Sequence, residues 1–151
     1  MFETVVIATD GSQSAQRAVR LALNFADRFD AAVHALYVLD TGEIDSTPAE
    51  IRADLEAALD AAGGEALSYV EEHAMESADG HDVVTAVREG DPATEIIDYA
   101  QEYDADVIAT GTRGRHGDHA FLLGSVAEAI VRRSPIPVLT VRQLSDEESP
   151  T

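Results

Sequence analysis

A chain of 151 residues with a formal net charge of -19 and no cysteine leaves few classes open. The length fits one domain that buries about 68–70% of its unfolded surface, and neither disulfide scaffolds nor thiolate metal sites are available. Acidic excess of this size disfavours nucleic acid and anionic membranes, and no apolar run is long enough to span a bilayer.

Phe2 to Thr9 (FETVVIAT) is a β-branched run that stops at the turn signal Asp10-Gly11-Ser12, which predicts a first strand. It starts without a basic region followed by an apolar one, so no signal peptide is evident and the cytoplasm is the expected location. From Ser14, the residues Ala15, Ala18, Val19, Ala22, Phe25, Ala26 and Phe29 recur at helical spacing and predict a helix to about Phe29. Val33 to Leu39 (VHALYVL) reads as a second strand buried on both faces. The stretch from Asp40 to Thr47 is polar and reads as a connection. Pro48 suits the first turn of a helix carrying Ile51, Leu55, Leu59, Ala62, Ala66, Leu67 and Val70, which Gly63-Gly64 is expected to interrupt.

Asp82 to Arg88 (DVVTAVR) predicts the third strand, closed by Gly90. Asp91-Pro92 is an N-cap followed by proline at the first helical position, with Ile96, Ile97 and Ala100 on one face. Ala105 to Thr110 (ADVIAT) is a short apolar segment that suits a buried parallel strand. Val126, Ile130 and Val131 give the last helix its apolar side, Arg132 and Arg133 suit its C-terminus, and Pro137 to Val141 makes a fifth strand. Five strands separated by helices imply an α/β fold with a five-stranded parallel doubly wound sheet, Rossmann-like, with helices on both faces. Residues 1–143 form this domain, and 144–151 form an acidic tail.

The informative stretch lies between the fourth strand and the last helix: Gly111-Thr112-Arg113-Gly114, nine residues, then Gly124-Ser125. Glycines let the backbone approach a phosphate without a Cβ in the way. Ser125-Val126-Ala127-Glu128 carries a capping-box pattern, so free N–H groups and the positive end of a helix dipole face the loop. Three glycines and a hydroxyl at these spacings arise by chance in under roughly 1% of chains this long. Other anion motifs fail. A P-loop needs a lysine, and all ten basic residues are arginines. The glycines do not fit Gly-x-Gly-x-x-Gly and follow the fourth strand instead of the first. His116 and His119 lack a third ligand at motif spacing.

Gly-x-x-Gly-(nine residues)-Gly-Ser, together with Pro135-Ile136-Pro137-Val138 before the final strand, resembles the ATP-binding branch of the universal stress protein family, over Phe2 to Arg142. The resemblance implies strand order 3-2-1-4-5. It also implies a nucleotide site in which Ala8 and Thr9 line the sugar, and Asp10 stands near the ribose and a phosphate-bound Mg or Mn. The main chain of Val38 would meet the adenine edge. Thr110, Gly111, Arg113, Gly114, Gly124, Ser125 and Val126 would surround the phosphates. From the residues alone, Asp10 is equally a turn residue and Val38 a core residue. The implied protein binds ATP, pairs with a second copy through Val138–Val141 and acts in stress response or signalling. No catalytic residue is evident, and at most slow ATP hydrolysis is expected. The alternatives are a dimeric scaffold of the same fold that does not depend on nucleotide, and a receiver-type phosphorylation switch. The latter lacks its paired acids and its lysine here. The acidic composition resembles that of proteins from salt-loving microbes, where molar salt cuts the Debye length to about 3 Å; the competing reading is a cationic partner.

Overall fold

The structure is a computed structural model that describes residues 2–76, 83–112 and 124–142, apart from the side chains of Gln13 and Ser14. Its elements in chain order are β1 (Thr4–Ala8), α1 (Gln13–Phe29), β2 (Ala32–Asp40), α2 (Thr41–Asp45), α3 (Ala49–Met75), β3 (Val83–Gly90), α4 (Pro92–Glu102), β4 (Val107–Gly111), α5 (Ser125–Arg133) and β5 (Val138–Val141). The strands pair in parallel in the order β3-β2-β1-β4-β5. Sequence order therefore reverses at β1, and the ends of β1 and β4 diverge into connections on opposite faces.

Alternation along the central strands divides the core in two. Val5, Ile7, Val33, Ala35, Tyr37, Val107 and Ala109 pack with α1 and α3, while Val6, Ala8, Leu36 and Ile108 pack with α4 and α5. Burial on both faces explains why β1 and β2 read as continuous apolar runs. In α1, Ala15, Ala18, Val19, Ala22 and Ala26 form the buried stripe. Phe29, expected on that stripe, is 46% exposed and instead closes a ring cluster with Phe2 and Phe25 at 5.0 and 4.9 Å.

Several local expectations need correction. α3 runs unbroken through Gly63-Gly64, because Gly63 is the point of closest approach to the Tyr37 ring. Pro48 is the residue before the helix, not inside its first turn. The polar stretch after β2 holds a short helix, α2, capped by Asp40, whose Oδ1 accepts from Glu43 N–H at 3.2 Å. Asp40-x-x-Glu43 is the sequence signal for it. Val131 is 47% exposed, and the buried side of α5 is Ala127 and Ile130. The cap of α4 is as expected: Asp91 Oδ2 accepts from Thr94 N–H at 3.1 Å and from its hydroxyl at 2.8 Å. The Thr94 hydroxyl bond, then its N–H bond and the nearby Arg133 cation, hold the Asp91 carboxyl below its ordinary pKa, against a smaller effect of burial.

At the amino ends of the strands the chain closes on itself. Asp106 Oδ2 accepts from Glu3 and Thr4 N–H at 2.8 and 3.0 Å, fastening the start of β1 to the start of β4. His34 Nδ1 lies 2.8 Å from the Tyr99 hydroxyl, and Tyr103 stacks on both rings. Burial lowers the pKa of His34 and, as the largest cause, raises that of Tyr99.

Candidate functional site

The carboxyl ends of β2, β1 and β4 meet where the strand order reverses. Register fixes what each contributes. Leu36 accepts from Thr9 N–H at 3.0 Å, so Leu36 turns its main-chain polar groups towards β1. Residues two apart in a strand face the same side, so Val38 does likewise, beyond the point where β1 has ended at Ala8. On the other flank Ile7 pairs with Ala109, and the same register carried forward sets Thr9 opposite Gly111. Thr112 N–H bonds to Val141 at 3.0 Å, so Thr112 faces β5 and its neighbour Gly111 faces the β1 side. Main-chain groups of Val38 and Gly111 thus border the space above β1 from opposite sides.

The connections supply the rest. Gly11 takes φ +78, a left-handed turn that suits glycine, and Asp10 Oδ1 accepts from Ser12 N–H at 2.9 Å. The turn role of Asp10 is therefore present in the structure. Thr9 Oγ1 accepts from Gly11 N–H at 3.2 Å, and both Thr9 and Thr110 are buried. Ser12 precedes α1 without capping it, and its Oγ is buried with no hydrogen-bond partner among the described residues. A buried hydroxyl without a partner carries a desolvation cost that a ligand could relieve.

Gly124 N–H bonds to the Thr112 carbonyl, so the start of α5 lies beside the end of β4. Here the expectation for Ser125 is corrected. Gly124 is the N-cap of α5, with φ -64 and ψ 161, and no side chain caps the helix. Ser125 is the first helical residue and is exposed, so its hydroxyl is not used by a capping box. Glu128 pairs instead with Arg132 at 3.1 Å. Val126 is half-buried against the α4–α5 core. Two helix N-termini, those of α1 and α5, thus lie at this end of the sheet, each carrying the positive end of a helix dipole.

Of the sequence-derived residues, Ala8, Thr9, Asp10, Val38, Thr110, Gly111, Gly124, Ser125 and Val126 lie on the strand ends, the turn after β1 and the start of α5 at the strand-order reversal. Arg113, Gly114, His116 and His119, like the acidic tail, fall outside the described residues. Among the described residues no group of three or more His, Asp or Glu could hold a metal ion by itself. A divalent ion at Asp10 would accordingly depend on phosphate oxygens for its other ligands. A separate shallow groove on the outer face of α3 is lined by Ala61, Gly64, Glu65, Ser68, Tyr69 and Glu72. One helix supplies all of it, and nothing converges there.

The fold has known counterparts. The Universal stress protein family matches residues 1–142, and the chain belongs to that family. It is 39% identical over 148 residues to a universal stress protein of Methanocaldococcus jannaschii, covering 97% of this chain and 86% of that one. Among solved structures, hypothetical protein MJ0577 is similar with a TM-score of 0.83 and 26% identity, over 97% of this chain and 99% of the other. A universal stress protein in complex with cAMP is similar with a TM-score of 0.66 and 28% identity, over 93% and 97%. Among the described residues no helix is long and apolar enough to cross a membrane.

Proposed function

We propose that this protein binds ATP with Mg or Mn at the crevice above β1 and serves in the cytoplasm in stress response or signalling. The observation that carries the reading is the convergence of the Val38 and Gly111 main chains, the Asp10 turn and the N-terminus of α5 at the strand-order reversal. Main-chain N–H and C=O at Val38 match the edge of an adenine. The glycine-bordered loop and helix N-terminus match a polyphosphate. A related protein solved with cAMP supports an adenine nucleotide as the ligand class. Arg113 and Gly114 complete the phosphate side in this reading, with Asp10 beside the ribose and the ion. Binding is the function in this reading, with at most slow hydrolysis: among the described residues Asp10 is the candidate base, and its carboxylate already holds the Ser12 N–H. The net charge of -19 fits a salt-rich cytoplasm, where repulsion is screened.

Ser125 provides the test. It caps nothing, so Ser125→Ala should change stability by under about 0.5 kcal/mol. ATP affinity should fall by about 1–3 kcal/mol through loss of a hydrogen bond to charged phosphate, while AMP affinity stays the same. Equal weakening of both nucleotides would mean that the phosphates lie elsewhere.

The same reading includes a homodimer through β5. This strand is half-buried over Val138–Thr140 and ends the sheet, an edge that must be paired or covered. Light scattering in molar salt should give twice the 16.1 kDa chain mass; a monomer at micromolar concentration contradicts the pairing.

A further inference from the structure

Gly63 and Gly64 are neighbours in α3 with opposite surroundings. A Cβ on Gly64 would meet nothing within 4 Å, whereas one on Gly63 would come within 2.6 Å of Tyr37 Cδ2 and 2.7 Å of Cε2. Tyr37 is 1% exposed, so its ring has no free space into which to move aside. The same turn of α3 touches a second strand end: a Cβ on Gly11 would meet the Ala62 carbonyl oxygen and Ala66 Cβ, each at 3.2 Å. One short piece of helix therefore stands against both Tyr37, which precedes Val38, and Gly11, which follows Asp10.

We propose that Gly63 is a positioning residue for base recognition. By letting α3 lie directly on the Tyr37 ring, it sets the distance of the β2 end from the Asp10-Gly11 turn, and with it the position of the Val38 main chain. The inference rests on the nucleotide reading given above. A methyl group at position 63 displaces either the helix or the end of β2, and Gly11 resists the first. Hydrogen bonds to a base edge hold over only a few tenths of an ångström, so a displaced Val38 reads the base poorly. Phosphate contacts at Gly111 and α5 lie across the crevice and do not touch α3 directly.

The experiment compares ATP and GTP affinity, by calorimetry in molar salt, for the wild type, Gly64→Ala, Gly63→Ala and Tyr37→Leu. Wild type and Gly64→Ala should prefer ATP to the same degree. Gly63→Ala should lose about 3- to 10-fold of that preference, the equivalent of one or two neutral hydrogen bonds. Tyr37→Leu, which removes the ring that α3 rests on, should lose preference too, and it carries the test alone if Gly63→Ala does not fold. An unchanged ATP-to-GTP ratio in the folded variants overturns the inference and leaves the nucleotide reading standing. So does a wild type that binds both equally, since no base edge is then read. A wild type that binds neither overturns the nucleotide reading itself.

Discussion

The two ends of the sheet are built from different chemistry. At the amino end the polar groups are matched within the protein and the gaps are filled by rings: Asp106 takes the N–H groups of Glu3 and Thr4, His34 meets Tyr99, and Phe2, Phe25 and Phe29 close the end of α1. At the carboxyl end stand glycines, small side chains, a buried Ser12 hydroxyl without a partner among the described residues and two helix N-termini. Closing a surface stabilises the fold, whereas leaving main-chain groups directed at open space creates capacity for a ligand. In the proposed reading, one end serves stability and the other binding.

The largest way to break this division is Tyr99→Ala. Tyr99 is 1% exposed and pairs with His34, so truncation should cost about 3–5 kcal/mol of stability in denaturant unfolding. ATP affinity per folded molecule should not move. If affinity falls with stability, the two ends are not separate.

Much of the fold was legible because its signals are local. Continuous apolar runs on strands buried on both faces and the Asp91-Pro92 cap both leave patterns in sequence, and both stand in the structure. The errors arose where one residue answers to a distant partner. Gly63-Gly64 reads as a break because glycine costs a helix about 1 kcal/mol relative to alanine, yet one of the two is needed by a ring on β2, which no local window contains. Ser125 reads as a cap because serine usually outranks glycine there; the bond from Gly124 N–H to Thr112 moves the cap by one residue. Val84 and Val87 are apolar yet 51% and 54% exposed, since β3 ends the sheet and pairing order is not written in any one strand. The site was legible only in part. The glycine spacing is the signal for the proposed phosphate side, whereas the facing of Val38 follows from register, and α2 and Ser12 gave no signal that outweighed a polar connection.

The smallest effect sharpens the amino end. Burial lowers the His34 pKa below its ordinary 6.5, so the unfolded chain takes up a proton there before the folded protein does. The stability contribution is complete above about pH 6.5 and is lost as pH falls through that value towards the lower folded pKa. Melting temperatures compared at pH 7.5 and pH 5.5 should show a drop in the wild type that is reduced in His34→Gln, with ATP affinity in that variant unchanged at pH 7.5. Equal drops in both proteins would remove His34 from the stabilising end.

The central claim is that the carboxyl end is a nucleotide site, and calorimetric titration with Mg-ATP in molar potassium chloride tests it most directly. The account predicts saturable heat at one nucleotide per chain, with a rise in melting temperature. Folded protein that gives neither heat nor a thermal shift with millimolar Mg-ATP would contradict it.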